Sequence, residues 1–251
     1  MLVEVRLRDA PYLFAQEYRK DIPLPKVAVL HSWDLDTQQA RKLQLELAAR
    51  VATPRPLAAV RPVGGADVSY DLGGKWLYGA VVVTRAGTEE VVERSGIVTE
   101  ARFPYVPGLF SFREAPALIQ AYEALGERPD VLLLDGQGIA HPRGIGLASH
   151  VGLWLSIPTI GCAKSRLFGE HDDPGPARGD WRPLTSEGRT LGAVLRTRDR
   201  IKPVYISVGH LCDLPGAIRV VLDNAPKHRL PIPARLAHHY VNDLRRQAAE
   251  P

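Results

Sequence analysis

Three acidic residues occupy positions from which carboxylates could act together. Asp67 lies in a short extended run, 66–71, where Asp67, Ser69 and Asp71 share one face while Val68 and Tyr70 point to the other. Asp135 directly follows Val131, Leu132, Leu133 and Leu134, at the point where a strand buried on both faces leaves the core. A carboxylate there is costly unless a cation or hydrogen-bond donors compensate. Glu114 falls in the first turn of an intervening helix, and faces the same region if that helix crosses over the sheet. Singly, each acid has a structural role: a polar residue near a turn, a helix cap, a loop initiator. Together, from three separate elements, they suit Mg2+, with Mn2+ as substitute. Hard cations take oxygen ligands, and Mg2+ uses few carboxylates beside substrate phosphate. Such an ion activates water and stabilises the leaving oxygen of a phosphodiester.

Two loops adjoin these acids in the chain. Pro104, Tyr105, Val106, Pro107 and Gly108 put an aromatic ring between two prolines. The prolines fix φ and remove donors, so the loop holds one shape at little entropic cost. Tyr105 offers a face that can stack where a base has been displaced. In the second loop Gly136, Gly138, Gly144 and Gly146 surround His141. Glycines let backbone N–H groups approach a purine edge or a phosphate, yet the run fits neither a Walker A motif nor a dinucleotide fingerprint. Lys164, just after a short strand, could neutralise a phosphate, although a lone lysine is usually only solvated. His150, His171, His228, His238 and His239 read as structural or surface histidines.

The elements that must position these groups follow from pattern. Asp36 and Thr37 cap a helix whose apolar stripe (Ala40, Leu43, Leu45, Leu47, Ala48, Val51) runs until Pro54. Runs at 66–71, 76–84 and 90–99, separated by glycine turns, predict a three-strand antiparallel meander. Ser111 caps a helix over 112–125, with Glu114 completing a capping box. A buried strand at 131–134, a small-residue helix at 146–156 and a short strand at 159–164 follow. Residues 170–188 read as an exposed loop, strands at 191–196 and 204–208 complete the set, and helices at 214–222 and 234–247 close the chain. Residues 1–33, broken by Pro11, Pro23 and Pro25, read as an N-terminal extension with one short strand at 27–30; residues 34–251 read as a single domain. A right-handed crossover must return the 131–134 strand parallel to one already laid down. If it lands beside the first, strand order reverses there, and such reversals are where open α/β sheets bind ligands.

Bulk properties exclude other classes. The 251 residues are 45% hydrophobic and 24% charged, an ordinary globular balance. No apolar run approaches the roughly 20 residues needed to span a bilayer, and the alternating start of the chain is not a secretion signal, so the expected compartment is the cytoplasm. Cys162 and Cys212 have no metal-ligand spacing and read as buried reduced thiols. A net charge of +4, with basic residues crowded after position 226, permits a polyanion partner without requiring one.

Five ordered blocks carry a specific resemblance. Val63-Gly64-Gly65-Ala66-Asp67-Val68-Ser69-Tyr70 resembles the first motif of the endonuclease V family, the deoxyinosine 3′ endonucleases. Pro104-Tyr105-Val106-Pro107-Gly108, followed by Phe112-Arg113-Glu114, is similar to its base-probing loop and second acid. Asp130 to Gly138 with His141-Pro142-Arg143, then Gly161-Cys162-Ala163-Lys164-Ser165, then Ser207-Val208-Gly209-His210, extend the match over about 34–224. The resemblance implies a ribonuclease-H-like fold: a mixed α/β sheet, meander plus parallel strands, with flanking helices. It implies that Asp67, Glu114 and Asp135 bind the metal and catalyse, with His210 beside them orienting water or assisting proton transfer. It further implies that 104–108 probes the base and that the loop with Gly136, Gly138 and His141 forms part of a hypoxanthine pocket. Nicking would fall on the 3′ side of inosine or another deaminated purine, one linkage beyond the lesion, in DNA or RNA, by a monomer with no membrane role. A ribonuclease H or junction-resolving nuclease shares the acids but has no need of the probing loop. A non-cleaving inosine binder gains nothing from three buried acids, and a serine hydrolase lacks its G-x-S-x-G elbow.

Overall fold

The computed structural model describes residues 29–53, 55–57 and 60–249. Three strands form the meander: β1 (Pro62–Tyr70), β2 (Trp76–Arg85) and β3 (Val91–Glu100), antiparallel in sequence order. Helix α1 (Thr37–Ala48) precedes them, and its N-cap Asp36 forms a capping box with Gln39. Helix α2 (Phe110–Glu123) then leads to β4 (Val131–Leu134), which pairs parallel with β1. Helix α3 (Leu147–Leu155), β5 (Thr159–Ala163), β6 (Trp181–Ser186), β7 (Arg189–Leu195), β8 (Val204–His210), α4 (Leu214–Asp223) and α5 (Ile232–Ala249) complete the chain. The described strands form one eight-stranded mixed sheet in the order β3-β2-β1-β4-β5-β8-β7-β6. The expected α/β class, with meander, parallel strands and flanking helices, is what is observed. Strand order reverses between β1 and β4.

Alternation along the strands sorts the core into two layers. Ala66, Leu132 and Leu134 face α2 and α3, where they meet Leu118, Tyr122 and Val151. Val63, Val131, Leu133 and Ile160 face the opposite side, against Ala217, Val220 and Val221 of α4. Helix α5 lies over the meander on that second side, with Val241 and Leu244 packed on Tyr78 and Ala80. Cys162 and Cys212 are buried and free of disulfides. Upstream of α1, Trp33 stacks on Trp154 at 4.6 Å and His31 Nε2 lies 2.8 Å from His150 Nε2. Of the expected strand at 27–30, residues 27 and 28 lie outside the described residues, and Val29 and Leu30 join no strand.

Two expectations need correction. Ser111 does not cap α2. The helix begins at Phe110 after Leu109, with no side-chain cap, and the Ser111 hydroxyl instead bonds His150 Nδ1 at 2.9 Å. The entry is set by a turn closed by Leu109 N–H donating to Val106 O (2.9 Å), with Leu109 buried beside Ala40, Phe103 and Phe112. Nor is 170–188 wholly loop. Residues 181–186 form the edge strand β6, joined to β7 by Glu187 and Gly188, both at positive φ (50° and 75°). Two successive residues of positive φ give the twist that a tight hairpin needs, and Pro183 is tolerated because β6 is an edge.

Helix and sheet approach closely at Gly65 of β1, where a Cβ would lie 2.1 Å from the carbonyl carbon of Pro233 in α5. Only a bare backbone lets α5 sit so low on the strand. Gly65→Ala is therefore expected to destabilise the protein by about 1–3 kcal/mol through overpacking, read as a lower denaturant midpoint. Gly73→Ala, in an open turn where a Cβ meets only the Asp71 carboxylate at 3.5 Å, should leave that midpoint unchanged.

Candidate active site

Register decides which acids meet. Ala66 on β1 pairs with Leu134 on β4 in the parallel ladder, and the Asp135 N–H reaches Ala66 O. Asp67 and Asp135 are thus the next residues along neighbouring parallel strands, about 4.8 Å apart across the ladder and pointing to one face, the face of α5. Strand β4 ends there, whereas β1 runs on to Tyr70. Glu114, from the first turns of α2 on the opposite face, reaches the hydroxyl of Tyr70, which donates to its Oε1. Arg113 fixes this corner: its guanidinium donates to Phe103 O and Gly74 O and lies 5.2 Å over the Tyr70 ring.

The three carboxylates feel one another. Burial raises the Asp67 carboxyl above its ordinary range, and the Asp135 charge raises it further, against opposing bonds from His238 and the Val68 N–H. Glu114 is pushed up to about 7, first by burial and then by Asp67 and Asp135, against the stabilising Tyr70 hydroxyl and Arg113. Each acid is turned to its own donor. His238 Nδ1 lies 2.7 Å from Asp67 Oδ2, Lys164 Nζ lies 2.5 Å from Asp135 Oδ2, and Tyr70 holds Glu114. Among the described residues no three His, Cys, Asp or Glu side chains already gather as a ligand set. The donor chemistry nevertheless fits a hard divalent cation. It consists of oxygen ligands only, partly desolvated and mutually repelling, so that added positive charge relieves an existing cost.

His210 is not part of this group. It ends β8 level with Thr159, whereas Asp135 is level with Cys162, so it lies about 10 Å back along the sheet and two strands across. Its Nδ1 accepts the Ala52 N–H at 3.2 Å, and its Cβ packs toward Gly152 of α3 on the other face. The antiparallel direction of β8 carries its last residue away from the edge where β4 ends. The histidine at the acids is His238 of α5. Sequence reasoning set it aside, although the α5 stripe of Ala234, Ala237, Val241 and Leu244 puts position 238 on the margin of the sheet-facing side. Its Nε2 lies 3.4 Å from Asn242 Nδ2, a donor, so Nδ1 carries the hydrogen given to Asp67.

The expected base-reading residues divide. In the 104–108 loop Tyr105 is 63% exposed and meets Phe110 edge-on at 4.8 Å, while Val106 is half-buried and Pro104 and Pro107 are exposed. Gly108 has φ +77°, as the third residue of a type II turn requires. Its carbonyl accepts from Arg143 (2.6 Å) and from His141 Nε2 (3.1 Å). His141 is buried, its other ring nitrogen accepts the Arg143 N–H, and burial beside Arg143 pushes its pKa down to about 4. It is a neutral brace with both nitrogens used inside the protein. Gly138 owes its identity to packing, because a Cβ there would meet Val208 O at 1.9 Å; a Cβ at Gly136 would make only ordinary contact with Leu147. Lys164 is spent on Asp135.

The raised Glu114 pKa has a consequence for stability. Unfolded, this carboxyl ionises near 4.5; folded, near 7. Between those values the folded state holds the extra proton, so metal-free protein should lose stability as pH rises from about 4.5 to 7, by an amount on the order of 3 kcal/mol. Glu114→Gln should flatten this slope in denaturation curves recorded in chelator. An unchanged slope in the variant would contradict the assignment.

Comparison with known proteins bears on the same residues. The family model described as Endonuclease V matches residues 41–239, a span that includes Asp67, Glu114, Asp135 and His238. Endonuclease V of Myxococcus xanthus is 46% identical over 219 residues, covering 87% of this chain and 93% of that protein. The crystal structure of endonuclease V from Streptomyces avermitilis is 40% identical with a TM-score of 0.83, covering 87% of this chain and 96% of that one. A Ciona intestinalis endonuclease V, crystallised with a 23mer DNA containing an inosine followed by a ribo-adenosine, is 25% identical with a TM-score of 0.74, covering 85% and 100%. With the match running through most of its length, this chain belongs to the endonuclease V family and is a nucleic-acid hydrolase.

Proposed function

We propose that this endonuclease nicks DNA on the 3′ side of a deaminated purine such as inosine, one linkage beyond the lesion, as a step of DNA repair, and that it requires Mg2+, with Mn2+ as substitute. The reading carries with it a monomer acting in the cytoplasm, with residues 34–251 as the catalytic domain and 1–33 as an extension. The observation that supports it most is the pairing of Asp67 with Asp135 across the β1–β4 ladder, with Glu114 raised to about 7 first by burial and then by their charges. These are the residues that would hold the cation. When bound, it supplies positive charge to the scissile phosphate and lowers the pKa of an attacking water.

The chain's own groups do the rest. His238 gives its Nδ1 hydrogen to Asp67, so Nε2, on a side chain 48% exposed and met only by the long 3.4 Å contact from Asn242, is the atom that takes a proton from the attacking water once that contact gives way. Lys164 keeps Asp135 compensated until a phosphate arrives, and its ammonium then lies at the mouth of the site. Tyr105, exposed on a loop whose turn is pinned at Gly108, stacks where the base is withdrawn. A deaminated purine pairs weakly and is cheaper to extrude than a normal one, so extrusion itself selects for the lesion. The Ciona relative, solved on inosine-containing DNA, supports the substrate class.

Labelled oligonucleotides carrying one inosine, as DNA and as RNA, test the proposal. Asp67→Ala and Asp135→Ala should each lower the cleavage rate by about three orders of magnitude or more while leaving much of the binding. His238→Ala should lower kcat far more than KM, and His210→Ala should change kcat little. Tyr105→Ala should erode the preference for inosine over an undamaged strand. Cleavage that persists in excess EDTA would reject the metal requirement.

A further inference from the structure

Helix α1 buries three residues, Ala40, Gln44 and Leu47, at the i, i+4, i+7 spacing of a core-facing stripe. Two are apolar. The third is an amide only 1% exposed. Burying an amide is costly unless its groups are bonded, and a side chain that served packing alone would be better apolar. Gln44 uses both ends of its amide, and it uses neither on its own helix. Its Nε2 donates to Gly108 O at 3.1 Å and to Ile145 O at 3.0 Å, and its Oε1 accepts from Arg143 Nε. One side chain thus ties together the turn that ends the 104–108 loop and the loop that runs from Asp135 to α3.

The tie converges on a single atom. Gly108 O accepts from Gln44, from Arg143 at 2.6 Å and from His141 Nε2 at 3.1 Å. A carbonyl oxygen has two lone pairs, so three donors from two other elements hold it from more directions than satisfaction requires. Arg143 is itself aimed by Gln44, through the bond to its Nε. Gly108 cannot be replaced without disturbing the arrangement, because a Cβ would lie 2.6 Å from the Arg143 guanidinium and φ is +77°.

We propose that Gln44 is a positioning residue for lesion discrimination: by clamping Gly108 O and Arg143 it fixes the spacing between the Tyr105 loop and the 136–146 loop, and that spacing determines which extruded base is accepted. The inference rests on the proposed reading of inosine by these two loops. It adds a residue of α1 that touches neither substrate nor metal. Asp67, Asp135 and His238 stand on the other face of the sheet from α2 and α3; Glu114 shares the clamp's face, on α2, but is held by Tyr70, and none of the clamp's bonds is made to any of the four. Loosening it should therefore blur selection without stopping cleavage.

Two variants of the full chain test this. Gln44→Met keeps length and burial but removes every polar bond. Gln44→Glu keeps an acceptor for Arg143 but turns a carboxylate oxygen toward Gly108 O. Both should speed amide exchange at residues 104–109 in substrate-free protein. Both should lower kcat/KM on an inosine strand by about tenfold or more, while nicking of an undamaged strand stays near wild type; the Glu variant, with a carboxylate buried against two carbonyl oxygens, should also show the lower denaturant midpoint of the two. Equal loss on both strands would make Gln44 a structural residue only and overturn the proposal. Faster exchange with unchanged selectivity would overturn it too, by separating the clamp from base choice. Wild-type protein with no preference for inosine would remove the reading beneath it, and that result is visible before any variant is made.

Discussion

Three carboxylates held at partial burial and within reach of one another's charge are the constraint around which the rest of this structure is arranged. Their repulsion is built in by register. Once β4 returns parallel to β1 with Leu134 opposite Ala66, Asp67 and Asp135 must stand side by side. The fold answers with one donor for each acid, drawn from three places: α5 supplies His238, the residue after β5 supplies Lys164, and the end of β1 supplies Tyr70. None of these donors makes the others redundant, and Glu114 remains pushed up to about 7 with its donor in place. A site left in this state has a standing affinity for positive charge. That affinity is an electrostatic property of the apoprotein and is spent when a cation or a protonated group arrives.

The 104–108 and 136–146 loops are governed by different physics. Their shape is held by carbonyl acceptors, prolines and a positive-φ glycine, all features of backbone geometry rather than of charge. Arg113 is where the two systems touch. It anchors the start of the 104–108 loop through Phe103 O while lying over the Tyr70 ring that serves Glu114. In the proposed reading, cation binding and base recognition are therefore mechanically linked at one side chain, yet their main supports are separate. Variants in one set need not disable the other.

Much of this was legible in the residues. The four apolar residues before Asp135, the glycine turns of the meander and the Asp36 cap of α1 each carry a local signal that tertiary structure leaves intact. The pairing of Asp67 with Asp135 was legible only conditionally, since it depended on β4 landing beside β1. What escaped reading was long-range direction. His210 follows a strand, as Asp135 does, but β8 runs antiparallel and delivers its end to the wrong edge. His238 hides in a helix whose apolar stripe locates it only once the helix is known to lie across β1. Ser111 carries the sequence of a capping box, yet burial beside His150 outcompetes the cap. The β6–β7 hairpin was masked by its prolines and glycines, although Glu187-Gly188 between two extended runs was a usable signal.

The contact of Gly65 with the Pro233 backbone makes the setting of Asp67 a property of long-range packing. Its imidazole partner stands 171 positions further along the chain and reaches it only while α5 stays seated on the bare backbone of β1. A side chain that lifted the helix off that strand would disturb the pair without replacing either member.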